Sequence, residues 1–212
     1  VDANSITLRA LDASRVTADS IGASGGIFFG GNGAEAVAQN LGQQSISLAN
    51  IRFVATSVTL SNRSSARAEA DADGVAVSAI LGIGASVATA RLASMVSTTM
   101  AGGSITANTV SLSTGVDATL GTNSLASANS SSGGLLSGNG AEANAWLDYS
   151  VSTTLRGTIT AQASLTVLTD AAGARSRAFV DGKSFGVAAI GLVIARTGQS
   201  GSNTASVSYT HL

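Results

Sequence analysis

Short segments in which hydroxyl-bearing and apolar residues alternate recur along the whole chain. Each follows the pattern Ser or Thr, apolar, Ser or Thr, Leu or Val. The four clearest copies are Ser5–Leu8, Ser57–Leu60, Thr109–Leu112 and Ser164–Val167. A period of two is typical of a β-strand, whose successive side chains point to opposite faces. We therefore predict strands in which the central apolar residue points to one side and the flanking hydroxyls point to the other.

Three alternating segments follow one another closely between residues 45 and 60. They are Ser45–Leu48, Ile51–Val54 and Ser57–Leu60, with Asn50 and the pair Ala55-Thr56 between them. Short strands joined by tight corners are typical of a β-solenoid, in which each coil stacks on its neighbours. We therefore predict that these three strands form the three sides of one triangular coil.

A long internal repeat indicates that stacking extends over the whole chain. The hexapeptide Gly31–Ala36 recurs unchanged as Gly138–Ala143, 107 residues later. We predict an all-β fold, a parallel β-helix (β-solenoid) that forms a single body over residues 1–212 and contains two units, about 5–108 and 109–212. With four or five coils in each unit, the prediction is eight to ten coils and a rod of roughly 40–50 Å. An antiparallel β-sandwich also has short strands and turns, but it does not require such a repeat.

Composition favours a narrow solenoid made of central strands. The chain has no proline, which cannot donate to a β ladder, and it has 25 glycines, while only 4% of its residues are aromatic. A core filled by Ala, Ser, Thr and Gly has to be narrow, because few large side chains are present to fill a wide one. The chain also lacks cysteine, which excludes a disulfide framework and a thiolate metal site.

Charge argues against two classes of partner. Only 11% of the residues are charged and the net charge is −1, so no basic field is present to hold a nucleic acid or an anionic membrane. The uncharged stretch 74–90 is too short and too weakly apolar for a membrane-spanning helix. We expect neither nucleic-acid binding nor membrane insertion. Residues 1–4 lack the features of a signal peptide and the pattern runs to both ends, so we expect a fragment of a longer protein.

The glycine-rich apolar stretch from Gly74 to Val87, followed by the segment Ser104–Leu112, carries a family resemblance, and Gly186–Gly191 is similar to the first stretch. The chain resembles the repeat region of large bacterial filamentous adhesins and leukotoxin-like exoproteins, which are similar to filamentous haemagglutinin. The resemblance covers nearly the whole chain, through motifs that other long β-solenoids share. It implies a right-handed parallel β-helix, exported to the bacterial cell surface or the extracellular space, that acts as a stalk or adhesive fibre. It brings no catalytic residue and no cofactor.

We therefore expect a structural, adhesive rod and not an enzyme, whose partner is a host or neighbouring cell surface or a second copy that stacks end to end. A self-assembling filament subunit is the first alternative. An ice-binding solenoid is the second, because outward hydroxyls can order water, although Ser and Thr are mixed and their motifs are irregularly spaced. A polysaccharide-active enzyme is the least favoured, since it needs a cleft of carboxylates and cations and the chain has one lysine, Lys183.

An acidic row offers a candidate metal site. Glu69, Asp71 and Asp73 alternate, so on a strand all three carboxylates would face the same way and could bind Ca²⁺ through hard oxygen ligands. In the second unit the corresponding residues are Arg177, Phe179 and Asp181. Because only the last acid persists, we favour a solvated acidic face and expect no bound metal.

Two other titratable candidates are weaker. Glu35 and Glu142 hold the same place in the repeated hexapeptide, but four or five coils would separate them by some 20 Å. Paired glycosidase carboxylates lie within about 10 Å of each other, so we expect no paired role. The only histidine, His211, stands next to the C-terminal residue, where side chains are commonly frayed, and we expect it to have no role.

Aromatic residues are the candidate contact points for a partner. They are Phe28, Phe29, Trp146 and Tyr149. Exposed apolar side chains that cluster mark interaction sites. The alternative is that these rings pack between coils.

Overall fold

The computed structural model describes residues 1–119 and 121–209, which are almost entirely β-strand. The strands are β1 (Asp2–Asp12), β2 (Arg15–Gly26), β3 (Phe29–Ser64), β4 (Arg67–Ser78), β5 (Leu81–Val116), β6 (Ser124–Gly133), β7 (Leu136–Asp170), β8 (Ser176–Phe185) and β9 (Ala188–Tyr209). One sheet has the order β1-β3-β5-β7-β9 and the other the order β2-β4-β6-β8. All the strand pairs are parallel. The prediction of a parallel β-solenoid is confirmed, and the antiparallel sandwich is excluded.

Each coil of the solenoid contains about 52 residues, because Ser5 pairs with Ser57 across this interval. Ser57 in turn pairs with Thr109. The described chain therefore makes about four coils, which extend about 20 Å along the axis at the usual strand spacing. The prediction of eight to ten coils is wrong. The 107-residue repeat corresponds to two coils, since Gly31 pairs with Ile83 and Ile83 pairs with Gly138.

The three short strands predicted between residues 45 and 60 enclose one end of a coil, which we call the wide end. All three belong to β3, whose pairing with β5 is interrupted at Asn50, in the left-handed region with φ of 50°, and at Thr56. Their inward side chains Leu48, Phe53 and Leu60 belong to one buried cluster. The prediction that they form a complete triangular coil is wrong, because the coil continues from the wide end into a long two-layered part.

Alanine fills this two-layered part. Ala36, Ala88 and Ala143 stack above one another in three successive coils, and all three are buried. The facing wall presents Ala70 and Ala126, which belong to the same cluster. Because a methyl group is the whole side chain, the two sheets approach closely without leaving voids. The narrow core expected from composition is therefore confirmed for this part of the coil.

Glycine lets the two sheets meet at the opposite end, which we call the narrow end. A Cβ atom on Gly74 of β4 would lie 2.5 Å from the carbonyl oxygen of Ala85 in β5. A Cβ atom on Gly84 of β5 would lie 2.7 Å from the carbonyl oxygen of Ser131 in β6. Each coil closes here through two residues, and we call these segments the tip turns. They are residues 27–28, 79–80, 134–135 and 186–187. The glycine-rich stretch 74–90 thus forms the narrow end of one coil.

Buried threonine hydroxyls connect the two walls of the core between the wide end and the alanine layer. Thr169 donates to Thr153 at 3.0 Å, and Thr153 donates to Thr114 at 2.9 Å. Thr114 donates to Thr98 at 2.8 Å. Because each hydroxyl except the last donates to the next, the chain of hydrogen bonds satisfies groups that water does not reach.

We expect Thr114→Val to lower the free energy of unfolding by about 1–3 kcal/mol, because the Thr153 hydroxyl loses its buried acceptor. Urea denaturation followed by circular dichroism measures this change. The same substitution at the exposed Thr166 is the control, with an expected change within about 0.5 kcal/mol. Equal effects at the two positions would contradict a structural role for the hydroxyl chain.

Candidate interaction surfaces

The carboxylates of the acidic row point outward from β4, as their alternation predicts, but they have separate partners. Glu69 accepts hydrogen bonds from Arg15 at 2.5 Å and from Arg67 at 3.2 Å. Asp73 accepts one from Asn129 at 2.7 Å. Within residues 1–119 and 121–209, no group of three or more acidic or histidine side chains is arranged to hold a metal ion. The residues at the equivalent positions two coils further on are Arg177, Phe179 and Asp181.

The middle carboxyl of the row, Asp71, has a raised pKa. Burial is the largest cause, and repulsion by the charge of Asp73 is the next. A hydrogen bond from Ser127 acts in the opposite direction, and the charges of Asp19 and Glu69 add smaller increases. Asp19 pairs with Asp71 in the neighbouring strand, which explains its contribution. Ionisation of Asp71 therefore opposes folding.

We expect Asp71→Asn to stabilise the protein at pH 7, and we expect this advantage to shrink as the pH falls towards 4. The folded state binds the Asp71 proton more tightly than the unfolded chain, whose carboxyl has a pKa near 3.8. The free energy of unfolding of the unmodified protein therefore falls as the pH rises from about 3.8 through the raised pKa. Denaturation at several pH values measures the difference, with Asp2→Asn as the control at an exposed carboxyl. A stability difference that is the same at every pH would contradict this assignment.

Glu35 and Glu142 lie closer together than predicted. Both pair with Val87, from its two sides, so they are two strand spacings or about 10 Å apart. The predicted separation of some 20 Å is wrong because 107 residues make two coils. Val87 lies between the two carboxylates, and Glu142 contacts Arg196 and, at 3.1 Å, Asn144. Glu142 is therefore engaged by Arg196 and Asn144, and Val87 separates it from Glu35. The third titratable candidate, His211, lies outside the described residues.

Trp146 and Tyr149 pack between coils. Trp146 pairs with Gly198 and Tyr149 with Gly201, and each ring occupies the space beside the glycine that a side chain would fill. A strand glycine leaves such a gap, and an aromatic ring from the adjacent strand can cover it. Tyr149 points inward against the alanine cluster, whereas Trp146 points outward and is 40% exposed. The two rings are thus on opposite faces.

Phe28 and Phe29 belong to an exposed apolar ridge that follows the narrow edge of the solenoid through all four tip turns. We define the ridge by Ile27, Phe28, Phe29, Ile80, Leu135 and Val187, which are 75%, 62%, 73%, 40%, 53% and 85% exposed. Backbone hydrogen bonds link successive turns, among them Leu81 N to Phe28 O at 3.0 Å and Val187 N to Leu135 O at 3.0 Å. No charged residue stands in the tip turns or directly after them. The ridge is therefore a continuous, uncharged strip held in place by the backbone.

Outward hydroxyls form aligned columns near the wide end. One column contains Ser45, Ser97, Ser152 and Thr204, and the next contains Ser47, Thr99, Thr154 and Ser206. The motif spacing along the sequence is irregular, and this irregularity argued against such an array. The columns nevertheless align. One coil is longer than the others, and its extra residues lie in the loop between β5 and β6. The sequence signal that would have found the array is the 52-residue spacing itself.

Comparison with known proteins gives no match to a family model, to a curated protein or to a solved structure. The resemblance to filamentous adhesins therefore rests on the sequence motifs, and the solenoid fold is compatible with it. In the part of the chain that the structure describes, no helix is long and apolar enough to cross a membrane.

Proposed function

We propose that this chain is a segment of a rigid rod displayed outside a bacterial cell, where it acts as a stalk or an adhesive fibre. The regular stacking of coils carries the proposal. The inward column Ala36, Ala88, Ala143 and Ala195 continues through four coils. Every coil is hydrogen-bonded to its neighbours along the axis, so the rod has no hinge between coils in this column. A rod of this kind holds a binding part of the protein at a fixed distance from the point where the rod is attached.

The terminal coil supports a rod made by adding further coils or further copies. Val193 pairs with Ala141 at a position that faces the core, yet it is 53% exposed because no coil covers it. β8 and β9 are edge strands whose outer backbone groups are available for pairing. A coil of the same type, from this chain or from a second copy, would bury both features. This edge is also the basis of the alternative proposal, a self-assembling filament subunit.

Antibodies raised against the 212-residue chain test the location and the role together. We expect them to label intact cells of the source organism, and their Fab fragments to reduce attachment of these cells to the surfaces that they colonise. Fab fragments against an unrelated surface protein are the control. Labelling that requires permeabilised cells would contradict the proposal of an external rod. Surface labelling without any effect on attachment would leave a stalk and reject the adhesive part.

A second candidate function, ordering of water at an ice surface, is favoured by the aligned hydroxyl columns. Neighbouring coils repeat at about 4.8 Å, and alternate residues along a strand repeat at about 6.6 Å. A two-dimensional hydroxyl lattice of this kind can hold ordered water. Thr contributes more than Ser to such a surface, because its branched side chain is restricted to fewer rotamers. The mixture of Ser and Thr places this candidate second.

Inhibition of ice recrystallisation tests the second candidate. If the columns bind ice, the 212-residue chain slows crystal growth, and the bulky substitutions Thr99→Tyr and Thr154→Tyr abolish the effect. The control is Thr89→Tyr, on the same strand as Thr99 but outside the columns. Absence of inhibition by the unmodified chain, or equal loss in the control, rejects ice binding.

A further inference from the structure

The apolar ridge has the features of a surface that is covered in the functional state. Six large apolar side chains are exposed on the narrow edge, three of them in the first coil and one in each of the next three coils. Uncharged apolar patches of this extent mark contact sites. The ridge also runs parallel to the solenoid axis, since its members are successive tip turns linked by backbone hydrogen bonds. The surface that matches such a strip along its whole length is another straight strip.

The side chains of the ridge become smaller from the first tip turn to the last. The sequences from each turn into the following strand are Ile27-Phe28-Phe29, Ala79-Ile80-Leu81, Gly134-Leu135-Leu136 and Gly186-Val187-Ala188. A second copy in the same orientation would oppose large groups with large ones and small groups with small ones. A copy in the opposite orientation would place the first turn against the fourth and the second against the third. The antiparallel arrangement therefore gives a contact of nearly constant thickness.

A groove beside the ridge would face the phenylalanines of the other copy in the antiparallel arrangement. The groove has a volume of about 290 Å³ and opens on the outer face of β5, β7 and β9. Leu81 and Ile83 line it in the second coil, Leu136 in the third and Ile190 in the fourth. Phe28 and Phe29 protrude in the first coil. When the copies run in opposite directions, the phenylalanines of each copy face the coils that carry the groove of the other.

From this taper and this groove we propose that two copies of the chain pair side by side and antiparallel through the apolar ridge. The contact is isologous, because each copy contributes the same surface to a two-fold dimer. The exposed fractions of the six ridge side chains amount to nearly four fully exposed side chains. At roughly 150 Å² each, the lower end of the range for large side chains, the ridge exposes about 600 Å² per copy, to which the groove adds. A standard interface buries about 800 Å² per partner. This lateral pairing differs from end-to-end stacking, in which the ridge takes no part, and it does not depend on where the rod is displayed.

Analytical ultracentrifugation of the 212-residue chain tests whether the ridge drives pairing. We expect a concentration-dependent dimer that Phe28→Asp weakens at least tenfold, with an unchanged circular dichroism spectrum. The matched control is Leu41→Asp, at an outward position that is also exposed and whose strand neighbour two coils on is Asp148. A monomer at all concentrations, or an equal loss in the control, overturns the proposal.

Cross-linking determines the orientation, and the absence of native cysteine makes single-cysteine variants unambiguous. We expect a mixture of Phe28→Cys and Val187→Cys proteins to form the mixed disulfide in preference to either homodimer. Three coil spacings or about 14 Å separate equivalent tips in the antiparallel pair, which is too far for a disulfide. A Phe28→Cys homodimer as the main product overturns the antiparallel arrangement. Flotation of the monomer with phosphatidylcholine vesicles in a Phe28-dependent manner would instead assign the ridge to lipid and overturn pairing.

Discussion

Replacing Gly74 with alanine lowers the free energy of unfolding by about 3 kcal/mol, the upper part of the range for overpacked positions. The reason is the distance between the two sheets at the narrow end. The added methyl group would lie 2.5 Å from the carbonyl oxygen of Ala85 and 2.6 Å from the hydroxyl oxygen of Ser86. The first of these atoms belongs to the backbone of a paired strand and moves only if the sheet moves. Urea denaturation followed by circular dichroism measures the loss.

Gly33→Ala is the matched control, and its expected effect has the opposite sign. No atom lies within 4 Å of the position that a Cβ atom on Gly33 would occupy. Alanine there reduces the conformational freedom of the unfolded chain, which stabilises a protein by about 0.4–1 kcal/mol. If both substitutions were neutral, the two sheets would have to lie further apart at the narrow end than described here.

Replacing Leu112 with alanine lowers the free energy of unfolding by about 3 kcal/mol, within the range for buried leucines. Leu112 is fully buried in the cluster of the wide end, together with Leu60 from the coil below. Its removal leaves a cavity between strands that are fixed on both sides. The substitution also destabilises the neighbouring coils, because a solenoid is stabilised by contacts between adjacent repeats.

Leu168→Ala is the control for this second substitution, since Leu168 is on the outer face and 45% exposed. The expected change is within about 0.5 kcal/mol. Hydrogen exchange identifies which coils are affected, and we expect faster exchange in β3, β5 and β7 around the Leu112 position. Equal effects of the two substitutions would reject the assignment of Leu112 to the core.

The strand segments could be predicted from the sequence because they depend on local alternation. The copies Ser5–Leu8, Ser57–Leu60 and Thr109–Leu112 that define the motif are paired in register in the structure. The inward position of Val58 and the outward position of Ser57 follow directly from the period of two. The narrow core was also predictable, because alanine and glycine cannot fill a wide one.

The length of the coil could not be predicted in the same way, because a corner residue does not show whether the chain closes into a short coil or continues into a long wall. β3 passes from the alanine layer around the wide end as one continuous strand, and Asn50 is the one non-glycine residue described with a positive φ. Proline, the usual marker of turns, is missing from the sequence. The three strand segments of the wide end therefore have the sequence pattern of a complete coil. For this reason the sequence predicts too many coils.

The wrong coil length also led to wrong expectations about the candidate surfaces. With 52 residues in a coil, Glu35 and Glu142 are two spacings apart and the hydroxyl columns align. The ridge was also hidden in the sequence, since its members come from four tip turns more than 50 residues apart. The exposed position of Phe28 became visible only when these turns were stacked.

Dipolar broadening in electron paramagnetic resonance spectra tests the 52-residue coil most directly. Nitroxide labels are attached to cysteines that replace Ser57 and Thr109, which pair in adjacent coils, and in a second protein to cysteines that replace Ser5 and Thr109. We predict strong broadening for the first pair, at one spacing of about 4.8 Å, and about eightfold weaker coupling for the second pair, at twice that spacing. Weak coupling in both proteins would show that 52 residues span more than one coil and would contradict the architecture described here.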